Sequence, residues 1–189
     1  MRNALLLHGC CNKDEFCSDK YPSSSNSHWF GWLQKQLIKQ GIETQTPEMP
    51  TPYAPEYREW KRVFEQFEIT SETTLVGHSC AAGFLLRWLG DNPNVEIDKL
   101  LLVAPWLDPI KKRKGFLDFE INPQLDKQVK TVHVFYSHDD PVAGVRESYE
   151  EIRSTFPKAK VTEYENMGHF ILSQMQTEKF PDLLEVIQA

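Results

Sequence analysis

No apolar run in this chain approaches the roughly 20 residues that a membrane-spanning helix needs. Positive charge is not in excess either: 21 Lys and Arg stand against 27 Asp and Glu, a net charge of −6. That balance gives nucleic acid and anionic membrane surfaces nothing to bind by long-range attraction. Cysteine is sparse. Of the four, at positions 10, 11, 17 and 80, no pair has the C-x-x-C spacing of a zinc site. The N-terminal apolar stretch, residues 4–7, is too short for a signal peptide, so the expected location is the cytoplasm. In that compartment the four cysteines are expected to be free thiols. No cofactor and no metal is expected, and no internal repeat or second domain is visible.

What remains is an ordinary globular composition, 40% hydrophobic and 25% charged, over 189 residues. That length suits one domain with a core of its own. Strand and helix patterns alternate along it. Residues 4–7 read as a strand buried on both faces. Residues 10–27, polar and serine-rich, read as a long surface loop with a floppy middle. A helix is expected from near Ser27, which can cap it, to Gly41, with Trp29, Trp32, Leu33 and Leu37 on one face. A short strand over 42–46 and a proline-rich extended loop over 47–55 follow. Pro55 is placed to open the next helix, which carries Tyr57, Trp60, Val63, Phe64 and Phe67 at helical spacing. Further strands are expected over 73–76, 99–104, 131–136 and 160–164. Helices are expected after Ser79, around 142–156, and from Pro181. Residues 107–130 read as loop with a short helix. Together these imply an α/β fold: a mostly parallel central sheet of about six strands, helices on both faces, and ligands bound along the strands' carboxyl edge.

One stretch carries the chemistry. In residues 73–83 a short apolar run stops at Gly77, Ser79 follows two residues later, and Cys80, Ala81, Ala82 and Gly83 are all small. A strand that turns sharply into a helix reads this way, with the serine at the tip. The pattern is G-x-S-x-G, with Ala81 where the second glycine would stand. A serine hydroxyl is a weak nucleophile and needs a base, and the base needs an acid to orient it. Strand 131–136 runs into Ser137-His138-Asp139-Asp140-Pro141, and strand 160–164 into Gly168-His169-Phe170. The order serine, acid, histidine is the one such sheets use. Asp140, directly before the proline, is the first choice of acid, and Asp139 is the alternative. His169 is the base, with Gly168 free to turn the imidazole inward.

The oxyanion of an acyl transfer needs backbone donors. Cys80 N–H, at a helix N-terminus, and Cys10 N–H, after the first strand, are expected to supply them. Trp106 is expected to wall the substrate pocket, with Trp29 and Phe170 as further candidates. Two other readings compete: a binding or scaffold protein without chemistry, and a thiol enzyme using Cys10 or Cys80.

The motifs His8-Gly9, Trp29-Phe30-Gly31-Trp32-Leu33, Gly77-His78-Ser79, Asp139-Asp140-Pro141 and Gly168-His169-Phe170 together resemble the small serine hydrolases typified by retinoblastoma-binding protein nine. The resemblance implies a single-domain α/β-hydrolase fold without a large cap domain. It also implies a Ser79–Asp140–His169 triad, and hydrolysis of small carboxylic esters or amides in the manner of a carboxylesterase, thioesterase or aminopeptidase. The chain departs from the family at Cys80-Ala81-Ala82, where Ser-Gly-Ala is usual, and in the longer loop 10–27. It contains no L-x-C-x-E sequence, so binding to the retinoblastoma protein is not carried over.

Overall fold

The computed structural model describes residues 2–189; Met1, the first residue of the N-terminal stretch, lies outside the described residues. Six strands, β1 (Asn3–Leu7), β2 (Glu43–Gln45), β3 (Thr73–His78), β4 (Ile97–Val103), β5 (Val129–Ser137) and β6 (Lys160–Tyr164), form one sheet in the order β2-β1-β3-β4-β5-β6. Every neighbouring pair is parallel. The connecting helices are α1 (Lys13–Phe16), α2 (Phe30–Ile38), α3 (Tyr57–Phe64), α4 (Cys80–Asp91), α5 (Val145–Thr155), α6 (Leu172–Met175) and α7 (Pro181–Gln188).

The inner strands are apolar without alternation because both of their faces are covered. Leu5, Leu7, Leu75, Leu100, Leu102, Val134 and Tyr136 point into a core shared with α3, α4 and α5. Ala4, Leu6, Val76, Leu101, Val103 and Phe135 point the other way, into a core shared with α2 and α7. In the first core Trp60, Phe64, Phe84, Trp88 and Phe116 meet edge to face, with ring centroids 4.8–5.6 Å apart for the closest pairs. All of α4 except Arg87, Gly90 and Asp91 is buried.

Several local expectations are corrected. Ser27 does not cap α2: its hydroxyl donates to the Ser23 carbonyl, and the helix starts only after Trp29. His28, at φ 58°, separates the serine turn from the helix. The helix expected to open at Pro55 begins at Tyr57, with Glu56 in the capping position. Loop 10–27 is not wholly irregular. It holds α1, capped by Asn12 accepting from Glu15 N–H at 2.8 Å, and a 3-10 turn over Ser24–Asn26. The short helix α6 was not foreseen. Its four residues carry too little periodicity to register.

The sheet delivers β1 and β3 side by side to the same edge, paired as far as Leu7 and Gly77. There β3 turns into α4 so tightly that a Cβ on Gly77 would sit 2.8 Å from the Ala82 backbone nitrogen. Gly9, at the end of β1, approaches the turn equally closely. A Cβ there would lie 2.8 Å from the Ser79 Cβ. Gly77→Ala is therefore expected to cost about 1–3 kcal/mol of stability, because backbone rather than a flexible side chain must give way. Urea unfolding of the variant beside the wild type measures it.

Candidate active site

Ser79 stands at the apex of the turn with φ 56° and ψ −124°, a conformation that non-glycine residues seldom adopt. Three backbone hydrogen bonds hold it there. Ser79 N–H donates to the Val103 carbonyl at 2.9 Å, and the Ser79 carbonyl accepts from Ala82 N–H at 3.0 Å and Trp106 N–H at 3.1 Å. The side chain thus projects above the sheet edge while remaining 8% exposed.

His169 arrives from the loop after β6. Its Nε2 lies 2.9 Å from Ser79 Oγ, and its Nδ1 lies 2.8 Å from Asp140 Oδ2. A carboxylate oxygen only accepts, so Nδ1 carries the proton and Nε2 is left to accept from the serine hydroxyl. Asp140 comes from the turn after β5, where its Oδ1 also accepts from Val142 N–H at 2.9 Å. The neighbouring Asp139 has a different task. Its Oδ1 accepts from Ser137 Oγ and from Gly168 N–H at 2.9 Å, tying the end of β5 to the loop that carries His169. Those hydrogen bonds, Ser137's foremost, hold its carboxyl below the ordinary aspartate value. Gly168 takes φ 54°, and a Cβ there would meet Gln174 Cβ at 2.8 Å. Gln174 Oε1 in turn accepts from His169 N–H.

Three more histidines lie around Ser79 and brace the backbone near it. His78 Nε2–H donates to the His169 carbonyl at 2.8 Å, and Trp29 Nε1–H donates to the next carbonyl, Phe170, at 3.1 Å. These two donors fix the backbone that carries His169. His8 Nδ1–H donates to the Gly9 carbonyl, and its Nε2 accepts from Met49 N–H, both at 2.8 Å. This shapes the turn that presents Cys10. His28 Nδ1 accepts from Leu172 N–H at 3.1 Å. The only sequence signal for these roles was the placing of His8 and His78 at strand ends.

The cleft beside Ser79 has a volume of about 180 Å3. It is lined by the turn after β1, His8 to Cys11, by Ser24, Ser27 and His28, and by His78 and His169. Glu15, Phe30 and Ile171 complete it. A cleft of about 220 Å3 lies at the amino ends of β5 and β6, and no histidine lines it. Trp106, Trp29 and Phe170, expected in the pocket wall, do not line the cleft. Trp29 stacks on Phe30 and Phe170 on Phe180, both inside the second core. Trp106 belongs to the first core, and its indole N–H donates to the Ala143 carbonyl at 3.0 Å. These three large aromatics were drawn into the cores, and mostly smaller or polar side chains were left to face the cleft.

The cysteines differ from expectation too. Cys10 and Cys80 are joined in a disulfide, with their Cα atoms 6.1 Å apart. Only Cys11 and Cys17 are free. The bond removes the nucleophile that a thiol enzyme would require at either position. Cys11 faces the cleft with its thiol pushed up by burial. The amides of Cys10 and Cys80 both sit beside Ser79, and among the described residues neither is paired with an acceptor in the protein. Among the same residues no group of His, Cys, Asp and Glu is arranged to hold a metal ion, and no helix is long and apolar enough to cross a membrane.

The family model for serine hydrolase matches residues 19–189. The chain belongs to the serine hydrolase family. YdeN of Bacillus subtilis (strain 168) is 35% identical over 71 residues, a match that spans 36% of this chain and 37% of that protein. The crystal structure of the ydeN gene product superposes with a TM-score of 0.83 at 22% identity, covering 100% of this chain and 97% of that one. An esterase from Exiguobacterium antarcticum gives 0.66 at 14% identity, covering 100% and 92%. An alpha/beta hydrolase enzyme from a Medee basin deep-sea metagenome library gives 0.59 at 14% identity, covering 99% and 81%. The single-domain α/β-hydrolase fold is therefore established. The narrower likeness to the retinoblastoma-binding protein nine type rests on the sequence motifs alone.

Burial holds His8, His28 and His78 below the ordinary imidazole value, His28 at about 4, with His169 adding repulsion at His28 and His78. In the unfolded chain each binds a proton near pH 6.5; in the folded chain it does so only at lower pH. The unfolded state therefore takes up more protons below about pH 6.5, and stability is lost as the pH falls from there toward 4. The urea midpoint is expected to be lower at pH 5 than at pH 7.5, and His28→Gln, which keeps an acceptor for Leu172 N–H, to narrow the difference.

Proposed function

We propose that the protein hydrolyses small carboxylic esters or amides through an acyl-enzyme formed on Ser79. The observation that carries this reading is the unbroken hydrogen-bonded chain from Asp140 through His169 to Ser79. His169 Nε2 takes the hydroxyl proton as Ser79 Oγ attacks the acyl carbonyl. Asp140 holds the Nδ1 tautomer and stabilises the imidazolium that forms. The amides of Cys10 and Cys80 receive the oxyanion, the second of them assisted by the positive end of the α4 dipole. His169 then returns the proton to the leaving group, and water, activated by the same nitrogen, releases the acid.

The volume and polarity of the cleft favour a short acyl group over a long chain. The fold it shares with an esterase is consistent with ester cleavage. The narrower type suggested by the sequence motifs belongs to the same proposal. A scaffold that had discarded the chemistry would have no use for two residue pairs at hydrogen-bonding distance in a strained turn, and the strain itself argues for a retained task.

Ser79→Ala is expected to lower turnover of short-chain esters by about 1,000-fold or more, and to abolish labelling by a fluorophosphonate probe. Unchanged hydrolysis in that variant sinks the assignment of the nucleophile. Asp140→Asn is expected to lower kcat by about 100-fold or more. Asp139→Asn, which touches only the supporting loop, is expected to act mainly on stability. A panel of short esters, thioesters and aminoacyl amides, run with these variants, separates the three substrate classes.

A further inference from the structure

Cys10 and Cys80, whose amides the proposed mechanism aims at the oxyanion, are also joined covalently across 70 residues of sequence. We propose that this disulfide is a positioning link that holds the two donor amides in register, so that hydrolysis slows when a dithiol reductant opens it. This rests on the reading of Ser79, Asp140 and His169 given above.

The reason lies in where the sheet stops. The ladder between β1 and β3 ends at the pair Leu7 and Gly77. Each donor sits three residues beyond that pair, one in the loop after β1 and the other in the first turn of α4. Among the described residues no backbone hydrogen bond joins the two segments past the ladder. Cys80 is anchored, since α4 is buried along most of its length. Cys10 is held less firmly: it is half-buried against the first core, His8 braces the turn before it, and the chain leaves it for α1, which buries none of its residues. The disulfide is the direct link between the less firmly held donor and the fixed one. Preorganised donors lose their effect quickly when displaced, and 1 Å of misplacement costs about 100-fold in rate.

Access to the bond is one-sided. Cys80 is fully buried, whereas Cys10 is half-buried and faces the cleft. A thiolate of the reductant attacks Cys10 Sγ, the S–S bond breaks, and Cys80 leaves as a thiolate at the N-terminus of α4, where the helix dipole favours it. The second thiol of the reductant then attacks the mixed disulfide, expels Cys10 as a thiolate and closes as the reductant's own disulfide. Two electrons pass to the protein, and the two new thiolates take up the protons that the reductant gives up.

The test uses the whole purified protein and p-nitrophenyl acetate as probe, before and after treatment with dithiothreitol and after reoxidation. Free thiols are counted in denaturant. The expected result is a rise from two thiols to four on reduction, with kcat about tenfold or more lower, KM little changed, and recovery on reoxidation. Cys17→Ser, at an exposed thiol away from the cleft, keeps both the activity and the response. The Cys10→Ser/Cys80→Ser double variant has the low kcat and ignores the reductant. The proposal is overturned by an untreated protein with four free thiols, by a reduced protein with undiminished kcat, or by a loss of kcat that follows the loss of far-UV circular dichroism. Turnover that needs Ser79 but ignores reduction removes the role of the disulfide alone. Turnover that survives Ser79→Ala removes the reading of the site beneath it.

Discussion

The close crossing of β3 and the start of α4 is the constraint from which the rest of the site follows. Gly77 lets the Ala81–Ala82 backbone pass at a distance that no Cβ would tolerate, and Gly9 lets β1 close in from the other side. Ser79 pays for that closeness with a left-handed φ, at a cost of about 1–3 kcal/mol. The strain is offset by what the turn makes possible. It drives α4 into the first core, where Phe84, Leu85, Leu86, Trp88 and Leu89 are buried, each contributing about 1.5–3 kcal/mol. A local conformation unfavourable in isolation is thus imposed by packing on either side of it. The hydroxyl is held where the other strand ends can reach it.

Those other strand ends are fixed by polar contacts beside the burial of Phe170 in the second core. The loop bearing His169 is held by four hydrogen bonds: His78 and Trp29 donate to successive carbonyls, Asp139 accepts from Gly168, and Gln174 accepts from the His169 amide. The loop after β1 is tied by His8 to Met49 and by the Cys10–Cys80 bond. Burial keeps His8, His28 and His78 uncharged at neutral pH, so they can act as fixed hydrogen-bonding groups without placing positive charge beside His169. The cleft is therefore lined by dipoles more than by charges. That is the environment in which a developing oxyanion gains most from a preorganised amide.

Much of this was legible in the chain. The short runs at 4–7, 73–76 and 99–104, mostly apolar and β-branched, read as inner strands buried on both faces. The order of Ser79, Asp140 and His169 at strand ends is enough to put the three on one edge of a parallel sheet. The choice between Asp139 and Asp140 was open, since adjacent residues in a turn point in different directions and only the loop's path decides which faces the imidazole. The aromatic wall was misread for a related reason. Trp29, Trp106 and Phe170 lie near the right strand ends, but hydrophobic surface is worth more inside the two cores than at a wet cleft, and all three turned inward. The cysteines were misread because 70 intervening residues hide a pair whose Cα atoms lie 6.1 Å apart.

The amino-acid order by itself determined the alternation of strands and helices, the parallel sheet that this alternation demands, and the turn at Ser79, since each depends on patterns within a dozen residues. The tertiary structure alone decided which carboxylate meets His169, which side chains face the cleft, and that Cys10 bonds to Cys80. Those outcomes depend on the directions in which separate loops leave a shared sheet edge, and such directions are set by packing between segments distant in sequence.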